Sequence, residues 1–233
     1  MQRYLIRRLL WLFPVLIFIS LVTFTLMHSV PGGPWDRDKK LPAAVVENLN
    51  RRYGLDKPAW EQYLNFLTNA AQGDLGVSFS YQDRRVTDVI REGLPVTATL
   101  ALSALVVAVF AGIPLGLAAA LKQNTWVDYA SLFFATAGAS VPNFVLGIVM
   151  IIVFSVGLHL LPTGGWGTPD KMLMPALALG VYPAALLARI TRASMIEALR
   201  QDYVRTAQAK GLSDQVVLSR HVFKNGLIPV VTV

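Results

Sequence analysis

Between Asp202 and Pro229 the chain carries DYVRTAQAKGLSDQVVLSRHVFKNGLIP, a polar and basic tract set between two strongly apolar segments. Its reactive groups are the Tyr203 phenol, the cations Arg205, Lys210, Arg220 and Lys224, and the His221 imidazole. Cations without a paired nucleophile and base recognise another surface rather than make bonds. The tract reads as a docking loop on a membrane protein. Ile196, Leu199, Tyr203 and Ala207 recur at spacings of three and four, with Glu197, Arg200, Gln201, Arg205 and Gln208 on the other face. That pattern predicts that the first part of the tract is helical. Gly211 suits its end and permits close backbone approach. A second apolar set, Val216, Val217, Leu218 and Val222, leads through Asn225 and Gly226 to Leu227, Ile228 and Pro229, where another hydrophobic segment begins.

Catalytic chemistry lacks its parts. The chain has no Gly-x-Ser-x-Gly, no His-Glu-x2-His and no carboxylate pair at membrane depth, which argues against an intramembrane hydrolase. It has no Gly-x4-Gly-Lys-Ser/Thr phosphate loop, so ATP is not expected to bind here. Cysteine is absent, excluding disulfides and thiolate metal sites. No catalytic residue, metal or cofactor is expected, and the chain is not expected to be an enzyme.

The elements that must position the tract are membrane spans. Apolar residues make up 54% of the chain and charged ones 15%, with a mean hydropathy of +0.50, a composition outside the range of ordinary soluble domains. The first span is Leu9 to Met27, uncharged and long enough to cross a hydrocarbon core of roughly 30 Å. It is too long for a signal peptide, and no small-x-small cleavage site follows it. Further spans are expected at about Ala98 to Leu121, Asn143 to Leu161 and Met172 to Ala188, with a fifth opening at Leu227. Trp126 to Leu161 is too long for one untilted crossing, so a break is predicted near Val141 and Pro142, with Thr125 and Asp128 forming a capping box. Gly112 and Gly116 form a small-x3-small pair suited to close helix packing, with Pro114 between them as a possible kink. The Leu161 to Gly167 loop reads as an ordinary turn or an entrance.

Basic residues in short loops set the orientation. Arg3, Arg7 and Arg8 place the amino terminus in the cytoplasm. Lys122 then falls inside, the His159 to Lys171 loop outside, and Arg189, Arg192, Arg200, Arg205, Lys210, Arg220 and Lys224 inside. The segment from His28 to about Thr97 is external, its nine basic residues matched by nine acidic ones. The net charge of +7 is accordingly ascribed to topology and lipid contact rather than to nucleic acid. Within the external segment, Pro42 starts a helix ended by Gly54, and Pro58 starts one carrying Trp60, Tyr63, Leu64, Leu67 and Ala71, ended by Gly73. A third is expected from Arg85 to Glu92, closed by Gly93 and Pro95. The organisation is therefore residues 1–27 as the first span, 28–97 as an external helical region, and 98–233 as a core holding spans two to four, the cytoplasmic loop of about 192–226 and the start of span five.

The tract resembles the cytoplasmic EAA loop of permease subunits in ATP-binding-cassette importers. The loop's core aligns with Arg205-Thr206-Ala207, then Gly211, with Ile228 and Pro229 closing it. Arg205 stands where the general motif has Glu, and Thr206 at its second position. Tyr203 to Leu212 is similar to the version found in dipeptide, oligopeptide and nickel permeases. Tyr53 to Pro58, Gly73 to Ser78 and Leu94 to Leu100 also look like that group's recurring phrases, so the resemblance covers nearly the whole chain. It implies an all-α polytopic inner-membrane protein with the type I importer permease fold, and a role in peptide uptake, with nickel or glutathione as alternatives within the group. It further implies a second homologous permease, two ATPase subunits and an external substrate-binding protein as partners. It also implies that a short helix from about Gln201 to Lys210 would seat in a groove on the ATPase, Tyr203 and Ala207 supplying a compact apolar contact, Gly211 close approach, and Arg205 and Lys210 pairing with acids on the rim. The external region would help receive the binding protein or cap the spans. The family normally has six spans, so a chain that stops at Val233 is expected to be cut short within the fifth. No acidic residue lies inside the spans as read, which disfavours ion coupling. From residues alone, a passive channel or structural membrane protein remains the rival from another class.

Overall fold

The computed structural model describes residues 2–30, 43–78, 81 and 84–232. Uncharged apolar runs become its long helices because a helix satisfies its own backbone polar groups. These are α1 (Gln2–Ser29), α4 (Val86–Leu121) and α7 (Pro169–Leu199). Among the described residues there are also shorter helices: α2 (Ala43–Tyr53), α3 (Ala59–Ala71), α5 (Trp126–Ser140), α6 (Asn143–Met150), α8 (Asp202–Ala209), α9 (Asp214–Val216), α10 (Lys224–Gly226) and α11 (Ile228–Val231). Wide π-helical turns extend α6 over Ile151–Gly157 and join α9 to α10 over Val217–Phe223. Among the described residues there is no strand.

Among the described residues, three helices are long and apolar enough to cross a membrane, or four if α5 and α6 count as one broken span. The break falls at Val141 and Pro142, where the two halves turn by 101°. Pro142 lacks an N–H and disfavours a helical residue before it. The predicted span Asn143 to Leu161 is shorter than expected: helix ends at Gly157, and His159 adopts φ +54°.

Three further expectations are corrected. The helix predicted to close at Gly93 and Pro95 instead belongs to α4, which runs through both. A proline inside a helix forfeits one main-chain bond, which membrane helices tolerate, and the Thr99 hydroxyl donates to the Pro95 carbonyl at 2.7 Å. The capping box at Thr125 does not form, because Asp128 Oδ2 accepts from the Asn124 N–H at 3.0 Å and Thr125 Oγ1 donates to the Lys122 carbonyl at 2.6 Å. Finally, α7 continues to Leu199, so Arg189 and Arg192 ride on a helix rather than in a loop.

The chain divides into two compact units, Met1–Leu94 and Pro95–Val233. In the first, α2 and α3 end at Gly54 and Gly73, both with positive φ. Pro42 lies outside the described residues. Across the turn, Lys57 bonds Glu61 at 2.6 Å, and that bond and charge hold its ammonium above the ordinary lysine range. Tyr63 of α3 meets α1, its Oη 2.9 Å from Ser20 Oγ and 3.1 Å from the Ile17 carbonyl.

In the second unit α7 is the central helix. Ala104, Ala108, Gly112, Gly116 and Ala120 of α4 are buried at intervals of four, as are Ala176, Gly180, Ala184 and Ala188 of α7. A Cβ on Gly112 would stand 2.5 Å from the Ala184 carbonyl oxygen, and one on Gly116 would collide with that of Ala188. The two backbones touch, which is how helices associate where lipid removes the hydrophobic driving force. Next to this contact, Ala135 of α5 packs against Ala185 and Ala188.

Candidate functional site

The tract folds onto one end of the second unit. A core of Ala120 from α4, Met195 and Ala198 from α7, Val204 and Ala207 from α8, and Val217 and Val222 beyond holds it there. Gly226 joins by close approach, since a Cβ on it would lie 2.7 Å from Met195 Sδ. Helix α8 is thus fastened to the ends of α4 and α7.

Helix α8 starts afresh rather than continuing α7. Arg200 closes α7, and Gln201 is extended at ψ 149° before Asp202 begins the new helix. This break resets the helical phase, so the stripe Ile196, Leu199, Tyr203 and Ala207 does not lie on one cylinder. Val204, which that stripe omits, is the buried anchor of α8 at 2% exposure. Ala207 is 5% exposed and belongs to the same core. It is placed inward, where it fixes α8, and not on the outward face where an apolar contact with a partner was expected. Val204 was legible only once the break at Arg200 and Gln201 was known.

The other predicted residues face outward. Tyr203 is 37% exposed, and Arg205, Lys210 and Gly211 are exposed. Arg205 Nη1 lies 3.7 Å from Asp202 Oδ1, but both side chains are largely in solvent, so the pair is worth about 0–1 kcal/mol and leaves Arg205 available. Asp202 in the first turn suits the positive end of the helix. At the other end, the Gly211 N–H donates to the Gln208 carbonyl at 2.9 Å and the Leu212 N–H to that of Ala207 at 3.4 Å. With Gly211 at φ +79°, this is a left-handed helix stop. No atom stands within 4 Å of a Cβ built on Gly211, so within the chain its glycine serves backbone conformation and not close packing.

Sequence pattern missed the other polar feature at this end. Asp128, in the first turn of α5, is fully buried, and Arg192 of α7 grips both its carboxylate oxygens, at 2.6 and 2.7 Å. Bidentate geometry makes this the strongest type of side-chain pair. The only sequence signal was a carboxylate in a largely apolar helix. Among the described residues, one buried side-chain polar group stays unpartnered: the Thr191 hydroxyl on the α4 side of α7.

Similarity to known proteins supplies the context. The family model described as binding-protein-dependent transport system inner membrane component matches residues 112–233, and the model of its N-terminal part matches residues 1–101. The dipeptide transport system permease protein DppB of Bacillus subtilis is 41% identical over all 233 residues, which cover 76% of that protein. The oligopeptide transport system permease protein OppB of Salmonella typhimurium is 39% identical, and the glutathione transport system permease protein GsiC of Escherichia coli O6:H1 is 41% identical, each over 100% of this chain and 76% of the relative. An all-helical chain with several membrane-crossing helices, matched from end to end in this way, belongs to the family of binding-protein-dependent transport system inner membrane components and is a multi-pass permease.

Proposed function

We propose that this permease imports small peptides and that α8 is the element through which separate ATPase subunits drive it. The observation that carries the proposal is the two-sidedness of α8: Val204 and Ala207 are locked into a core shared with α4 and α7, while Tyr203, Arg205 and Lys210 face outward. A groove on an ATPase that seats the outer face would push or pull the two long helices through the inner one. Two such permeases, each moved by its own ATPase subunit, would rock between inward-open and outward-open states. In this scheme the amino terminus and α8 are cytoplasmic, and an external binding protein delivers the substrate.

Peptides are favoured because the relatives named above carry dipeptide, oligopeptide and glutathione in their names, and glutathione is itself a tripeptide. The test is a photo-crosslinking residue at Tyr203, irradiated in native membranes containing the full transporter. Capture of an ATPase subunit is the expected result. An intact complex in which no ATPase is captured from Tyr203, Arg205 or Lys210 would overturn the docking role of α8.

A further inference from the structure

Between α1 and α4 lies a helix, α3, held by side-chain bonds against α1. We propose that α3 is a membrane-surface helix, its stripe of Trp60, Leu64, Leu67 and Ala71 immersed at the hydrocarbon edge of the leaflet nearest His28, with lipid as its partner. The inference requires only that α1 crosses the bilayer, so it stands apart from the docking role of α8 and from the orientation of the chain.

Depth is the first argument. Tyr63 bonds the Ser20 hydroxyl and the Ile17 carbonyl, both well inside the uncharged run Leu9 to Met27. Ser20 lies seven residues short of Met27, about 10 Å below the end of that run at 1.5 Å per residue. One turn higher, the Phe24 ring packs 5.3 Å from that of Tyr63, and His28 Nε2 meets Gln62 Oε1 at 3.2 Å. These contacts hold α3 against the upper part of α1, with Tyr63 directed down it. A helix pinned at that level does not stand clear of the membrane.

Pattern is the second. At 3.6 residues per turn, Trp60, Leu64, Leu67 and Ala71 fall on one stripe and Glu61, Asn65 and Thr68 on another, while Tyr63, beside the apolar stripe, contacts α1. Trp60 and Leu64 are 66% and 51% exposed, a poor arrangement in water and a suitable one in acyl chains. The ends agree. Asp56 and Lys57 precede α3 and Asp74 follows it, so a helix lying flat keeps both polar ends at the headgroups while Trp60 and Tyr63 occupy the interfacial zone that aromatic residues with a polar tip prefer.

Spin-label accessibility decides the matter. Cysteine is absent from the chain, so Trp60→Cys, Leu64→Cys, Asn65→Cys and Thr68→Cys each give it a single thiol, studied in the full transporter with its partner subunits made cysteine-free and reconstituted in vesicles of phosphatidylethanolamine and phosphatidylglycerol. Collision with oxygen, which concentrates in hydrocarbon, is compared with collision with a water-soluble nickel chelate. The ratio is expected to be several-fold higher at positions 60 and 64 than at 65 and 68. Equal, water-like ratios at all four sites would overturn the proposal, as would labels at 60 and 64 shielded from both reagents, the mark of a protein partner. Leu64→Cys decides by itself should Trp60→Cys fail to reach the membrane.

Discussion

Arg192 holds Asp128 by two parallel bonds, Nε to Oδ1 and Nη2 to Oδ2, and so ties the first turn of α5 to the last two turns of α7. The carboxylate has a third partner in the Asn124 N–H, which leaves the buried group well satisfied. Removing one member strands the other. The loss expected for a buried pair is roughly 3–5 kcal/mol, toward the lower end here because Arg192 keeps 23% side-chain exposure. Asp128→Ala and Arg192→Ala should each melt at clearly lower temperature as purified transporter, and the uncharged pair Asp128→Asn with Arg192→Gln should recover part of the difference. Parental melting of both single variants would show that the pair does not brace the two helices.

Gly116→Ala tests the contact between α4 and α7. The added methyl meets the Ala188 carbonyl and the Thr191 Cβ, so overpacking of about 1–3 kcal/mol should outweigh the gain in helix propensity. Gly147→Ala is the control, being helical with open space around it. Thermal unfolding should separate the two substitutions, and equal behaviour would mean that the helices are not in backbone contact.

Gly211 provides a purely conformational test. Its φ of +79° penalises a side chain by roughly 1–2 kcal/mol, although nothing crowds the site. Gly211→Asn should retain more uptake than Gly211→Ala, because Asn enters the left-handed region more readily. The reverse order would indicate that space, not backbone conformation, matters at this stop.

Inward and outward faces of α8 should fail differently. Ala207→Asp buries a charge in the core with Met195 and Val222, and should lower the amount of folded protein in the membrane. Arg205→Glu alters only an exposed cation, and should leave protein level unchanged while reducing ATP-driven uptake. Normal uptake by Arg205→Glu together with Tyr203→Ala would remove α8 from the coupling route.

Orientation is read by cysteine labelling in sealed cells. Asp74→Cys should react with a membrane-impermeant maleimide from outside, and Arg205→Cys only after the membrane is opened. External labelling of Arg205→Cys would invert the topology.

Much of this was legible locally. The runs Leu9 to Met27 and Ala98 to Leu121 announce their helices by length and lack of charge, and Gly54, Gly73 and Gly211 mark helix ends because the left-handed conformation is inexpensive only without a Cβ. What failed depended on surroundings. Pro95 reads as a stop in water yet is absorbed in a long membrane helix. Ala207 is equally at home on either face of a helix, so its direction followed from the break at Arg200 and Gln201 rather than from its type. Asp128 and Arg192 are 64 positions apart, and no local spacing connects them.

That separation has a consequence during biosynthesis. At a translation rate of about 5–20 residues per second, Asp128 emerges about 3–13 s before Arg192. For that interval the Asp128 carboxylate lacks its cation and has only the local Asn124 N–H, too little to offset burial of its charge among apolar neighbours. Helix α7 therefore supplies, after α5 has been made, the cation that lets α5 take its final place, so one step in the order of assembly follows from a single ion pair.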